Sequence, residues 1–233
     1  MTMENDIVLR CEKLQFGHER PLCAPLDWEV HAGEIWAVAG SNGCGKTTLL
    51  RTLLGFLRPL SGTLERTKSC SYLAQSAESL VAPARVEDVV YLGAETGLSG
   101  LIPFYRRRFA KTVERLLDSF ELRSLRNRSI HETSPGERQR TLLAQSIVRS
   151  PELVCLDEAT SAMDPQHTRD SFAYLVEYAR QSRCAVVAIS HSLYAQIDQF
   201  THLLAFTDGR CMAGKRDEVL AQCPSLGRPQ KEA

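Results

Sequence analysis

Gly40-Ser41-Asn42-Gly43-Cys44-Gly45-Lys46-Thr47-Thr48 fits the phosphate-loop pattern G-x-x-x-x-G-K-[ST]. The flanks supply the context that the pattern needs. Before it, Glu34-Ile35-Trp36-Ala37-Val38-Ala39 reads as a buried strand. After it, Thr48-Leu49-Leu50-Arg51-Thr52-Leu53-Leu54 reads as a helix start with an apolar face. Glycines let the backbone fold back so that its N–H groups point at phosphate oxygens, and the helix N-terminus adds a positive dipole end. Lys46 is expected to reach the β- and γ-phosphates, and the Thr47 hydroxyl to sit on Mg²⁺.

A second stretch answers the first. Leu153-Val154-Cys155-Leu156-Asp157-Glu158 is an apolar run that ends in two adjacent acids. Such a run suits a fully buried parallel strand. Its C-terminal end is where an open α/β sheet places ligands. Asp157 is then expected to hold Mg²⁺, directly or through water. Glu158, one residue on, is expected near the γ-phosphate, where it can polarise an attacking water. The other reading of the pair of acids is a helix cap after a core strand, a common arrangement. Joined to residues 40–48, it makes a nucleotide triphosphatase the leading reading.

Composition agrees. At 233 residues the chain is long enough to bury one α/β core. Lys and Arg number 28, as do Asp and Glu, so nothing suggests bulk attraction to nucleic acid and no nucleic-acid partner is expected. No apolar run approaches the roughly eighteen residues of a membrane span. The start Met1-Thr2-Met3-Glu4-Asn5-Asp6 is polar and acidic, unlike a signal peptide. The eight cysteines are scattered, with no C-x-x-C pair. Free thiols and a cytoplasmic setting are therefore expected.

The expected organisation is one domain over residues 1–233. Ile7 to Phe16 and Leu26 to Val30 read as strands, and residues 34–66 as strand, phosphate loop, helix and short strand. Residues 83 to about 130 read as mostly helical. Val86, Val89, Val90 and Leu92 open that stretch, and Val113, Leu116, Leu117 and Phe120 continue it at helical spacing. From Ser134 onward, helices and strands alternate, which argues a parallel sheet. Asp208-Gly209 reads as a hairpin turn. The expected fold class is α/β, a P-loop NTPase core with a mostly parallel sheet and an inserted α-helical subdomain over about residues 76–150; the N-terminal part is expected as antiparallel β from the family resemblance that the motifs below carry.

Four further pieces narrow the class. Gln75 follows the strand-like Ser71-Tyr72-Leu73-Ala74. Ser134-Pro135-Gly136-Glu137-Arg138-Gln139-Arg140 opens a helix. Ser161-Ala162-Met163-Asp164 follows the paired acids, and Ile189-Ser190-His191 ends the apolar strand Ala185-Val186-Val187-Ala188. With these pieces in order, nearly the whole chain resembles the ATP-binding-cassette (ABC) ATPases. The resemblance implies that residues 40–48 are the Walker A loop and 153–158 the Walker B strand with Glu158 as catalytic glutamate. It implies further that Gln75 is the Q-loop glutamine at the metal and attacking water, and His191 the switch histidine. Thr133 to Glu137 stand for the signature motif, and Ser161 to Asp164 for the D-loop that reaches the nucleotide. Phe16 and His18, in Leu14-Gln15-Phe16-Gly17-His18, both fall where the adenine-stacking aromatic belongs. Phe16, an all-carbon ring, is the simpler stacking surface, unless it is only core.

The chain also departs from the family pattern. Thr133-Ser134-Pro135-Gly136-Glu137 stands where L-S-G-G-Q is usual, and Ala159 where many relatives have Pro. Ser134-x-x-Glu137 matches a helix capping box, with Pro135 at the favoured first helical position. Ser134 therefore has two competing duties, capping its helix and contacting a γ-phosphate.

The resemblance implies a mechanism and partners. Two such domains face head to tail and sandwich two ATP molecules. Each ATP is held by residues 40–48 of one domain and by Ser134 and Gly136 of the other. The expected partners are a homodimer or paired ATPase subunit, separate membrane permease subunits, and in importers a substrate-binding protein. Val86 to Gly93 resembles the corresponding segment of importers of metal ions, metal chelates or cobalamin. Lipid-moving or efflux ATPases and soluble non-transport ABC ATPases are the alternatives. Pro103-Phe104-Tyr105-Arg106-Arg107-Arg108-Phe109 is a basic cluster with two readings: a contact for lipid headgroups or an acidic patch, or a solvated helix start.

Overall fold

The computed structural model describes residues 6–74, 84–94, 105–157, 165–189, 196–207 and 209–227. The assignments made to Gln75, Glu158, Ser161 to Asp164, His191, Asp208, Pro103 and Phe104 lie outside the described residues.

Two sheets form the framework. The larger contains β3 (Ile35–Ala39), β5 (Cys70–Leu73), β6 (Leu153–Asp157), β7 (Ala185–Ile189), β8 (His202–Thr207) and β9 (Arg210–Lys215). Its order is β5-β6-β7-β3-β8-β9. All neighbours run parallel except the β8–β9 pair. The smaller sheet is antiparallel, with β1 (Ile7–Gln15) between β2 (Leu26–His31) and β4 (Ser61–Arg66).

The unbroken apolar runs of β3, β6 and β7 follow from burial on both faces. Every residue of these three strands is buried. Successive side chains point to opposite sides, so Ile35, Ala37, Val154, Leu156, Val186 and Ala188 enter one core. Trp36, Val38, Leu153, Cys155, Ala185 and Val187 enter the other. The first core packs against α2 (Val86–Leu92), α3 (Tyr105–Ser119), α4 (Pro135–Ile147) and α5 (Pro165–Ser182). The second lies under the antiparallel sheet and α1 (Lys46–Leu53), which contributes Leu49, Leu50 and Leu53. The helix α6 (Arg216–Gln222) closes on β8 and β9.

Boundaries differ from the sequence reading by a residue or two. The first helix begins at Lys46 rather than Thr48, because Gly45 takes the N-cap with φ 109°. Among the described residues of the stretch after 83, α2 and α3 are helical as expected, and two short 3-10 turns, Arg123–Leu125 and Ile130–Glu132, follow α3. The β8–β9 ladder pairs Thr207 with Arg210 and carries Gly209 at φ 72°, which agrees with a hairpin there. All eight cysteines are free. Among the described residues, no helix is long and apolar enough to cross a membrane.

Candidate functional site: the phosphate loop and its acidic strand

Residues 40–45 join the C-terminal end of β3, an inner strand of the parallel sheet, to α1. Gly45 is favoured by its backbone conformation. Its φ of 109° is a left-handed conformation, and a Cβ there would lie 2.7 Å from Leu22 Cδ1. No side chain caps α1. The amides of its first turn therefore have no intrahelical acceptor and present the positive end of the helix dipole. Lys46 is only 8% exposed, and its Nζ donates to the carbonyls of Gly40 and Ser41, both at 2.9 Å. The ammonium is thus held against the loop, which positions a cation where phosphate oxygens would lie. Ser41, Asn42 and Gly43 are exposed, while Gly40, Cys44, Thr47 and Thr48 are half-buried.

Asp157 ends β6 and is 2% exposed. Its Oδ1 accepts from Thr47 Oγ1 at 3.0 Å and its Oδ2 from the Tyr72 hydroxyl at 3.1 Å. Thr47 and Asp157, 110 residues apart in sequence, are thus brought together. Burial and the Asp157 charge push the Tyr72 phenol up to about 12, so it stays a hydrogen-bond donor through the neutral range. A buried carboxylate held by two hydroxyls is an all-oxygen donor set, which fits a hard dication such as Mg²⁺.

Tyr72 escaped the sequence reading. The signal lay in strand pairing: β5 runs parallel to β6 with Tyr72 beside Cys155, two residues before Asp157.

One expectation is corrected. Phe16 is fully buried, edge-on to Phe206 at a centroid distance of 6.1 Å, and has no ring face open to a base. The core alternative holds because Phe206 of β8 packs against the ring and the ring is fully buried. His18 is exposed.

The remaining sequence candidates in the described residues, Ser134 and Gly136, stand at the start of α4, Ser134 exposed and Gly136 half-buried. The capping box is formed as read. Ser134 Oγ accepts from the Glu137 amide at 3.2 Å, and Glu137 Oε2 accepts from the Ser134 amide at 2.8 Å. Neither residue takes part in the hydrogen bonds of Lys46, Thr47 or Asp157 within the same chain.

This loop, helix and acidic strand define a P-loop nucleotide triphosphatase. The family model described as ABC transporter matches residues 23–161, and the chain belongs to that family of ATP-hydrolysing transporter subunits. A zinc import ATP-binding protein, ZnuC 2 of Aliivibrio fischeri, is 28% identical over 194 residues, covering 83% of this chain and 76% of the relative. The molybdate import ATP-binding protein MolC of Haemophilus influenzae is 33% identical over 185 residues, covering 78% of this chain and 72% of the relative. A solved structure of a metal-chelate type ABC transporter, in an inward-facing conformation, superposes with a TM-score of 0.81 at 28% identity, covering 95% of this chain and 89% of that one.

Proposed function

We propose that this chain is the ATPase subunit of an importer for a metal ion, metal chelate or cobalamin-like cargo, working as a pair on the cytoplasmic face of a membrane beneath separate permease subunits. A substrate-binding protein completes such a system. The import reading is carried by the similarity to relatives named for zinc and molybdate import, at 28% and 33% identity. Purifying the chain with the membrane proteins encoded beside it and measuring cargo-stimulated ATP hydrolysis tests it. Stimulation by an exported lipid or drug, and by no metal species, would overturn it.

Within the site, Lys46 and the amides of residues 40–48 bind the β- and γ-phosphates. Thr47 and Asp157 would hold Mg²⁺, with Gln75 a further candidate ligand; the ion would neutralise phosphate charge. Glu158 takes a proton from the attacking water, and His191 and Gln75 orient the γ-phosphate and water. His18 takes over the contact with adenine from Phe16. Ser134 and Gly136 of one domain, with Asp164 at the interface, complete the site of the other. Closure of the pair is then a population shift driven by ATP's higher affinity for the closed state.

The composite site has a direct test. Pro135→Gly should loosen the start of α4 by ~1 kcal/mol or less and leave ATPase activity intact. Ser134→Arg puts bulk and charge at the face offered to the partner's nucleotide, and activity of the assembled complex should fall sharply. An active Ser134→Arg complex would reduce Ser134 to a helix cap.

A further inference from the structure

Cys23 and Cys211 are 188 residues apart in sequence, yet the Cys211 thiol donates to the Cys23 sulfur at 3.4 Å. Cys23 is buried and Cys211 half-buried. Their segments are already tied, since the Ala24 amide donates to the Gly209 carbonyl at 2.8 Å. Both segments wall the phosphate loop. Leu22, the neighbour of Cys23, sits over Gly45, where a Cβ would meet its Cδ1 at 2.7 Å. Phe206, opposite Cys211 in the β8–β9 ladder, sits over Gly40 together with Cys44; a Cβ on Gly40 would lie 2.8 Å from Phe206 Cβ and from Cys44 Sγ. Among the described residues, no group of three or more Cys, His, Asp or Glu is arranged to hold a metal ion. That leaves thiol chemistry for this cluster.

We propose that Cys23 and Cys211 form a reversible disulfide, made by exchange with a small-molecule disulfide, that weakens nucleotide binding at the adjoining loop. Cys211 is the more accessible of the two thiols. Its thiolate attacks one sulfur of the small disulfide, whose S–S bond breaks and releases one thiolate. The Cys23 thiolate then attacks the Cys211 sulfur of the mixed disulfide and releases the second. Two protein thiols lose two electrons and two protons; the small disulfide gains both and leaves as two thiols. Burial pushes both protein thiols up, which keeps them protonated at rest and makes the exchange slow, as it does stray oxidation. Bond formation brings the sulfurs from 3.4 Å to about 2.05 Å. The segments that carry Leu22 and Phe206 are drawn together over the loop, against Gly40, where a Cβ would already lie 2.8 Å from Phe206 Cβ.

The test uses the full chain and glutathione disulfide, with peptide mapping under non-reducing conditions and titration of a fluorescent ATP analogue. A Cys23–Cys211 linkage is expected, with nucleotide affinity falling at least about tenfold, equivalent to about 1.4 kcal/mol, and recovering on addition of dithiothreitol. Cys211→Ser and Cys23→Ala should each form no such linkage and keep their affinity under the oxidant. Cys44→Ser should still form it. A linkage or glutathione adduct at Cys44 in its place would overturn the proposal. So would a Cys23–Cys211 linkage that leaves affinity unchanged, or loss of affinity in oxidised Cys211→Ser. None of these readouts depends on cargo or on membrane partners, so the import reading can fail without touching them.

Discussion

Glu158→Gln is expected to bind ATP but to hydrolyse it about 10²–10⁴-fold more slowly, the usual worth of a general base. The substitution keeps the size of the side chain and removes the oxygen that accepts the proton of water. The expectation rests on Asp157, the residue immediately before it. Thr47 and Tyr72 each donate to that carboxylate. The end of β6 is therefore fixed relative to the loop that takes the phosphates. Turnover at saturating Mg-ATP is the direct measurement, paired with a nucleotide-binding titration. Near wild-type turnover would remove Glu158 from the mechanism. Loss of binding along with turnover would mean that the substitution had damaged the phosphate site itself. In the slow variant, ATP should also accumulate the closed pair, visible as faster sedimentation.

The second large effect is on stability. Gly93 ends α2 where it crosses α4, and a Cβ on it would lie 1.9 Å from the Gln145 carbonyl oxygen. Its φ is −63°, a conformation open to any residue, so space alone demands glycine here. Gly93→Ala cannot be absorbed by a rotamer change, because the obstacle is backbone. The helices must separate, at a cost of about 1–3 kcal/mol or more. For a chain of this size each kcal/mol lowers Tm by roughly 2–4 °C. Gly214→Ala is the control: a Cβ there makes ordinary contacts, the nearest with Val219 Cγ2 at 3.6 Å. If thermal melts of the two variants coincide, the close crossing of α2 and α4 is not a constraint on stability.

The sequence showed most where structure is local. The phosphate loop, the capping box at Ser134 and Glu137, and the runs that became β3, β6 and β7 each declare themselves within a few residues. What it hid depends on distant chain. Phe16 looked available to adenine because residues 14–18 alone say nothing of Phe206, whose ring packs against it nearly at right angles. Tyr72 looked like one more strand residue until β6 was laid beside β5. Cys23 and Cys211 looked like two of eight scattered thiols, and only the β8–β9 hairpin returning against the loop after β1 brings them together. The end of β5 is visible, but Gln75 beyond it and Glu158 beyond β6 stay readings of the sequence.

The cap on α4 also bears on how a serine divides its labour. A hydroxyl carries two lone pairs and one proton. Ser134 spends a lone pair on the Glu137 amide, and that bond fixes where the oxygen stands without using the hydrogen. The proton is left free to swing toward an incoming anion. The proposed nucleotide contact, which the sequence set against capping, would therefore draw on the other half of the same group. A helix start stiffened by Pro135 and Glu137 would hold the donor in place in advance, so less motion would have to be frozen in forming the composite site proposed above.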